Sequence, residues 1–169
     1  DWNEHNLKSV QQHPDKYNWM CHVELDDDIE GQILRHKANG AVGIGEITHN
    51  LWIENEKIQQ LFAAAEKHNM PVLFHMSGEE GFSYGICDKP GLTMLEESLK
   101  KFPKLKMVLA HLGGLKMWDD VYYHLAGIEN VYFDTAFSLG LDKKTAEYLP
   151  FFYSPDIITS FIRTSGEPN

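Results

Sequence analysis

Cysteine is scarce in this chain. Only Cys21 and Cys87 occur among 169 residues, far apart and in no CxxC pair. A disulfide framework is not expected, and the two read as reduced thiols of a cytoplasmic protein. Basic charge is in deficit, with 15 Lys and Arg against 25 Asp and Glu, a formal net charge of −10. Such a chain lacks the basic footprint of a nucleic-acid binder, so no nucleic-acid partner is expected. No apolar run approaches the ~18–20 residues of a membrane span, and the first residues carry no basic-then-apolar signal pattern. No membrane partner is expected either. GxGxxG, GxxxxGK[ST] and GxSxG are all missing, which leaves dinucleotide, P-loop and serine-hydrolase readings without support.

What is present is a soluble-type composition, 43% hydrophobic and 24% charged, arranged as alternating strand-like and helix-like segments. Five apolar runs read as strands: Asn18–Leu25, Ala41–Ile47, Pro71–Met76, Lys106–Leu112 and Asn130–Thr135. Most are nearly continuous rather than alternating, as in parallel strands covered on both faces. Helical spacing links Ile29, Ile33, Leu34 and Lys37, then Ile58, Leu61, Phe62 and Ala65, then Leu92, Leu95, Leu99 and Phe102. The acidic run Asp26–Asp28 suits a solvated helix start, and Pro103 ends the third helix. A weaker helix is predicted near Lys116–Ala126, and two more after the fifth strand, one capped by Asp142 and one opened by Ser154-Pro155 and closed by Gly166. No linker or composition shift divides the chain, so residues 1–169 read as a single, partial domain. The fold class is α/β: a (β/α) TIM-barrel-like fold, incomplete, with about five parallel strands where a full barrel needs about 250 residues.

Three of the strand candidates end in a metal-competent side chain. VGIGE ends in Glu46, PVLFH in His75 and MVLAH in His111. A (β/α) barrel builds its site from the C-terminal ends of its strands, and two neutral imidazoles with one carboxylate suit zinc and similar divalent ions. Each residue alone has a bland alternative: a salt bridge for Glu46, a satisfied rim residue for either histidine. Their recurrence at one place in the βα repeat is what argues for a shared metal site. Gly43 and Gly45 weaken strand propensity, so they are expected to serve close packing or backbone approach. Gly113 and Gly114 would let the chain turn off the strand beside His111. The long Ser77–Pro90 segment directly after His75 is expected to cover the site as a loop or lid.

Other residues take smaller parts. Asp134, at the end of the fifth strand, reads as a ligand, an orienting partner for an imidazole, or a helix cap, with the last two favoured. His49 is placed as substrate-binding at the same opening, and Glu24 as a pocket-lining residue. His22 lies on the same first strand and is not counted among the site residues. His5, His13, His36, His68 and His124 read as surface residues, and Trp52, Trp118, Tyr122 and Tyr123 as packing residues.

The motifs GAVGIGEI, AAEKHNMPVLFHM, FPKLKMVLAHLGG and NVYFDTAF, in this order, together resemble the amidohydrolase-related family of metal-dependent TIM-barrel enzymes. The closer resemblance is to its second branch, which also holds decarboxylases. It extends from about Asn18 to Gly166. It implies one or two divalent metals, with Glu46 matching the fourth-strand carboxylate of some branches, His75 the fifth-strand histidine and His111 the sixth. Asp134 falls on the seventh strand. The family's HxH pair and its eighth-strand aspartate, the usual general base, have no counterpart in the sequence. The expectation is a fragment covering strands three to seven, beginning at Asp1 without a methionine, and no catalytic base is assigned within it.

The resemblance implies a metal-dependent hydrolase, with activated water attacking an amide, ester or lactone carbonyl of a small molecule. The alternatives are a non-oxidative decarboxylase on the same scaffold, or an inactive truncated barrel. Zinc is the first expectation for the metal, with manganese, iron or magnesium behind it. Open sheet edges predict self-association into a homo-oligomer.

Overall fold

The computed structural model describes residues 2–77, 84–114, 117–125 and 127–134. Its centre is a five-stranded, all-parallel sheet, built from β1 (Met20–Cys21), β2 (Gly43–Ile47), β3 (Val72–Phe74), β6 (Met107–Leu109) and β7 (Val131–Phe133), which lie side by side in that order. A separate two-stranded parallel ladder, β4 (Met76–Ser77) with β5 (Ile86–Cys87), follows β3. The helices are α1 (Trp2–Gln12), α2 (Ile29–Ala38), α3 (Glu56–Lys67), α4 (Thr93–Lys101) and α5 (Trp118–Leu125). A helix lies between each two successive strands of the five-stranded sheet, so the described sheet is an open section of a (β/α) barrel wall.

The core follows from the sequence patterns. Ile58, Leu61, Phe62 and Ala65 line one stripe of α3 and are fully buried. The Phe62 ring meets Phe74 of β3 at 5.9 Å and Phe102 beyond α4 at 6.1 Å, which ties two helical segments to the sheet. Caps set the helix starts. Asp28 accepts from the Gly31 N–H and Asn55 from the Lys57 N–H, each satisfying an amide that the helix itself leaves unpaired. The α4 start is unusual: Leu92 precedes it in a left-handed conformation without a side-chain cap. Buried Asp88 takes over, accepting from the N–H groups of Lys89, Met94 and Leu95. Burial raises its pKa above the ordinary aspartate value, against those three donors.

The strands are shorter than their apolar runs, for identifiable reasons. β1 stops at Cys21 because side chains take over the backbone pairing. Asn3 bonds both backbone groups of His22, and Gln32 both of Glu24. The β3 run breaks after Phe74, and Met76 and Ser77 leave to pair with Ile86 and Cys87. β6 ends at Leu109 because His111 and Leu112 turn left-handed, with φ of 56° at both.

Two expectations need correction. The Ser77–Pro90 segment is not a free loop in its second half: Gly85 N–H donates to Thr48 O, Ile86 N–H to His75 O and Cys87 N–H to Leu51 O. Ile86 and Cys87 are buried, and their apolar character draws this stretch down onto the strand ends. Helix α1, absent from the sequence reading, packs Leu7 and Val10 against the core. The helices expected around Asp142, Ser154 and Gly166, the end of the fifth strand at Thr135, and the glycines Gly78 and Gly81 lie outside the described residues. No helix among the described residues is long and apolar enough to cross a membrane. Both cysteines are buried, and burial pushes the Cys21 thiol up to about 11.

Candidate metal centre

Glu46 reaches the site through an irregularity in its strand. Ile44 pairs with Val72 and Ile47 with Phe74, so β2 spends one residue more than β3 across this stretch. Such a bulge bends the strand and re-aims a side chain. Gly45 makes it feasible: its φ is +140°, and a Cβ there would lie 2.4 Å from the Leu73 carbonyl oxygen. The close backbone approach expected of this glycine is therefore present.

His75 follows β3 and His111 follows β6, both at C-terminal strand ends. The structure brings them to Glu46. Glu46 Oε1 lies 3.1 Å from His75 Nδ1 and 3.8 Å from His111 Nε2. The two imidazole centroids are 5.1 Å apart, with the rings inclined at 67°. One ligand atom from each residue falls within 4.8 Å of the others. A tetrahedral ion with bonds of about 2.05 Å holds its donors about 3.3 Å apart. The observed spacings straddle that value, and one carboxylate with two imidazoles is a ligand set suited to a borderline divalent ion. The residues fit such an ion. Their side chains are between a fifth and a third exposed, at 29% for Glu46, 23% for His75 and 21% for His111, so the group opens to solvent.

The surroundings fix this geometry. His111 N–H donates to Asp134 Oδ1 at 3.3 Å, and the same oxygen is 3.9 Å from His111 Nδ1. Asp134 also pairs through its backbone, accepting from Leu112 N–H and donating to Leu109 O. It thus braces the left-handed turn that carries His111 and stands on the side of that imidazole away from Glu46. The turn continues with positive φ through Gly113 and Gly114. The left-handed backbone begins at the histidine itself, two residues before the first of the two glycines.

Tyr84 was not singled out in the sequence. Its ring stands edge-on to His75 at 4.6 Å, and its phenol pKa is raised by burial and then by the charge of Glu46. The tyrosine stays protonated and remains a donor. No motif announces it; only its place in the segment after His75 was legible.

His49 and Glu24 were expected at the same opening. The structure groups them with His22 instead: ligand atoms of His22, Glu24 and His49 all lie within 4.8 Å of one another. The alternation of His22 and Glu24 about Val23 was the available signal, since residues two apart on an extended segment share a face. Two of the supposed surface histidines are also engaged. His36 packs edge-on against Trp19 at 5.8 Å, and His68 Nε2 meets Glu30 Oε1 at 2.7 Å. Tyr123, read as a packing residue, is exposed, while Trp52 is partly buried against the core.

With this arrangement described, comparison with known proteins gives the family. The amidohydrolase family model matches residues 3–166, and the chain belongs to that family. No curated protein matches it. Among solved structures, it is similar to an uncharacterized TIM-barrel protein from Bordetella bronchiseptica, with a TM-score of 0.62 and 16% identity over 90% of this chain and 55% of that one. It is similar to a 5-carboxyvanillate decarboxylase from Novosphingobium aromaticivorans, with bound manganese, at a TM-score of 0.51 and 18% identity, covering 73% of this chain and 40% of that one. A third is 2,6-dihydroxybenzoate decarboxylase from Rhizobium, at 0.54 and 14%, covering 86% and 59%. The chain thus spans about half the length of these structures, and at such identities the likeness is one of fold: an incomplete TIM barrel.

Proposed function

We propose that Glu46, His75 and His111 hold a divalent cation, and that the protein to which this chain belongs is a metal-dependent hydrolase of small molecules. The observation that carries the reading is the convergence of one carboxylate and two imidazoles from three parallel strand ends, with donor atoms within 4.8 Å. A divalent cation supplies Lewis acidity there, polarising a substrate carbonyl and acidifying water. The chain's own residues supply the rest. The bulge at Gly45 aims Glu46 into the cluster, Asp134 steadies His111, and the Tyr84 ring covers one edge of His75. The protonated Tyr84 phenol stands ready to donate a hydrogen bond to a polar substrate group. In the hydrolytic reaction the acyl carbon gains the oxygen of water, and the departing amine or alcohol takes up a proton. Zinc is the proposed ion; manganese is supported as an alternative by its presence in the Novosphingobium decarboxylase.

A second reading is non-oxidative decarboxylation of a small carboxylic acid. It is favoured by the fold likeness to two decarboxylases. One experiment separates the two. The protein is stripped with a chelator, reloaded with zinc or manganese, and incubated with panels of amides, esters and lactones and of aromatic acids. Carboxylate and alcohol or amine products support hydrolysis. Metal-dependent carbon dioxide release overturns it in favour of decarboxylation. Turnover unaffected by stripping, or by Glu46→Gln and His111→Ala, defeats both. The chain is further proposed to form one domain of a cytoplasmic protein that associates with a second copy through its open sheet edges. Sizing chromatography tests this, and a stable monomer overturns it.

A further inference from the structure

His22, Glu24 and His49 form a second cluster that the proposed reaction does not use. His22 and Glu24 lie just beyond β1, and His49 just beyond β2, so the cluster bridges two neighbouring strand ends. His22 Nε2 is 3.2 Å from Glu24 Oε1. The His22 and His49 rings lie nearly parallel, 5.9 Å apart at 12°. All three residues offer a ligand atom within 4.8 Å of the others.

Two independent features show that this cluster is built rather than incidental. First, the segment carrying His22 and Glu24 has no sheet partner among the described residues, yet its backbone is fixed. Asn3 Oδ1 accepts from the His22 N–H at 2.7 Å and Asn3 Nδ2 donates to its carbonyl at 2.8 Å. Gln32 treats Glu24 in the same way, both bonds at 2.9 Å. Both amide residues are buried, at 9% and 5% exposure. Outer groups that hold ligands in place are a recurrent part of metal sites. Second, His49 Nδ1 is buried with no hydrogen-bond partner among the described residues, an uncommon state for a ring nitrogen. Nothing in the described chain fixes its tautomer.

We propose that His22, Glu24 and His49 constitute a second divalent-cation site, distinct from the Glu46 group, that takes a borderline ion of the zinc or cobalt class. Two imidazoles and one carboxylate favour such ions over magnesium or calcium, which prefer all-oxygen shells. An ion there cross-links the segment after β1 to the segment after β2.

The test is titration of the metal-stripped protein with Zn(II) by calorimetry, with metal content measured after dialysis. The proposal predicts two equivalents in the wild type. Glu24→Gln and His49→Ala each lose one and keep the other, whereas Glu46→Gln and His111→Ala keep the equivalent that Glu24→Gln loses. Glu24→Gln is the fold-safe variant, because Gln32 holds Glu24 through its backbone and the side chain is exposed. A stoichiometry unchanged by both Glu24→Gln and His49→Ala overturns the second site. A single equivalent lost in Glu24→Gln and kept in Glu46→Gln supports it while defeating the metal centre under Proposed function. No zinc bound at all overturns both.

Discussion

Asn3 clamps His22 through both of that residue's backbone groups, accepting at 2.7 Å and donating at 2.8 Å. The clamp joins α1 to the end of β1 and replaces the ladder bonds that the strand gives up there. Buried backbone groups left without partners cost about 1–3 kcal/mol each, while a replaced bond is worth about 1 kcal/mol net. We therefore expect Asn3→Ala to lower unfolding stability by about 2–3 kcal/mol, read from the urea midpoint. Ser9→Ala, which removes an exposed bond within α1, serves as the control and should leave the midpoint nearly unchanged. Equal effects of the two would show that the clamp carries no stability.

The same amide also meets His36 of α2, whose ring is expected to make stability depend on pH. Because Asn3 Oδ1 faces the His22 N–H, its NH₂ group must be the donor to His36 Nε2, 3.2 Å away. The His36 ring accepts there and is held neutral; burial, then the nearby Arg35, lowers its pKa from 6.5. In the window below pH 6.5 the unfolded chain binds a proton that the folded chain refuses. Stability should therefore be full above pH 6.5 and fall as the pH drops toward the lowered folded value. His36→Gln, which retains an acceptor but does not titrate, should flatten that part of the stability–pH profile. His49 has a lowered pKa as well, so the difference between wild type and variant is the quantity to measure. Parallel profiles would rule out His36 as the titrating group.

Asp88 carries the start of α4 from four residues upstream of the cap position. Its two oxygens accept three backbone N–H groups, and the residue is buried. Loss of a helix cap costs about 0.5–2 kcal/mol. Asp88→Ala should cost at least that, about 2 kcal/mol, since it strands buried donors. Asp88→Asn should recover only part of the loss, because one amide oxygen cannot serve all three donors and its NH₂ opposes one of them. Thermal or denaturant unfolding gives the order wild type, Asn, Ala; an Asn variant as stable as wild type would mean that the carboxylate is already protonated in the fold.

Much of the architecture was legible because it depends on periodicity. The stripe from Ile58 to Ala65 and the apolar runs around Val72 and Met107 announce helix and strand directly, and strand-end chemistry pointed to Glu46, His75 and His111. What stayed hidden depends on long-range pairing. Nothing local says that Asn3 and Gln32 will terminate β1, that Gly85 to Cys87 will fold back over His75, or that His22 will lie parallel to His49 across two strand ends. Tyr84 became part of the site only through that fold-back. The contact of partly buried His36 with Trp19 stayed hidden because the two lie seventeen positions apart in sequence, beyond the reach of any helical pattern.

The left-handed turn at His111 gives a test in which two small residues should rank in an unusual order. His111 has φ 56° and ψ 42°, and Leu112 after it φ 56° and ψ 30°. For a residue with a Cβ this region costs roughly 1–2 kcal/mol, and glycine escapes that cost. In an ordinary strand glycine is less stable than alanine by roughly 0.5–1 kcal/mol. At this position the order should invert: His111→Gly is expected to be more stable than His111→Ala by about 1 kcal/mol, while both lose the zinc equivalent assigned to the Glu46 group. Equilibrium unfolding of the two metal-free variants gives the ranking, and zinc titration gives the binding. An alanine variant more stable than the glycine one would place His111 in ordinary strand geometry. If instead glycine wins and binding is lost, the chain holds a strained backbone at the residue whose imidazole the metal centre needs, which is where stored strain is expected to concentrate.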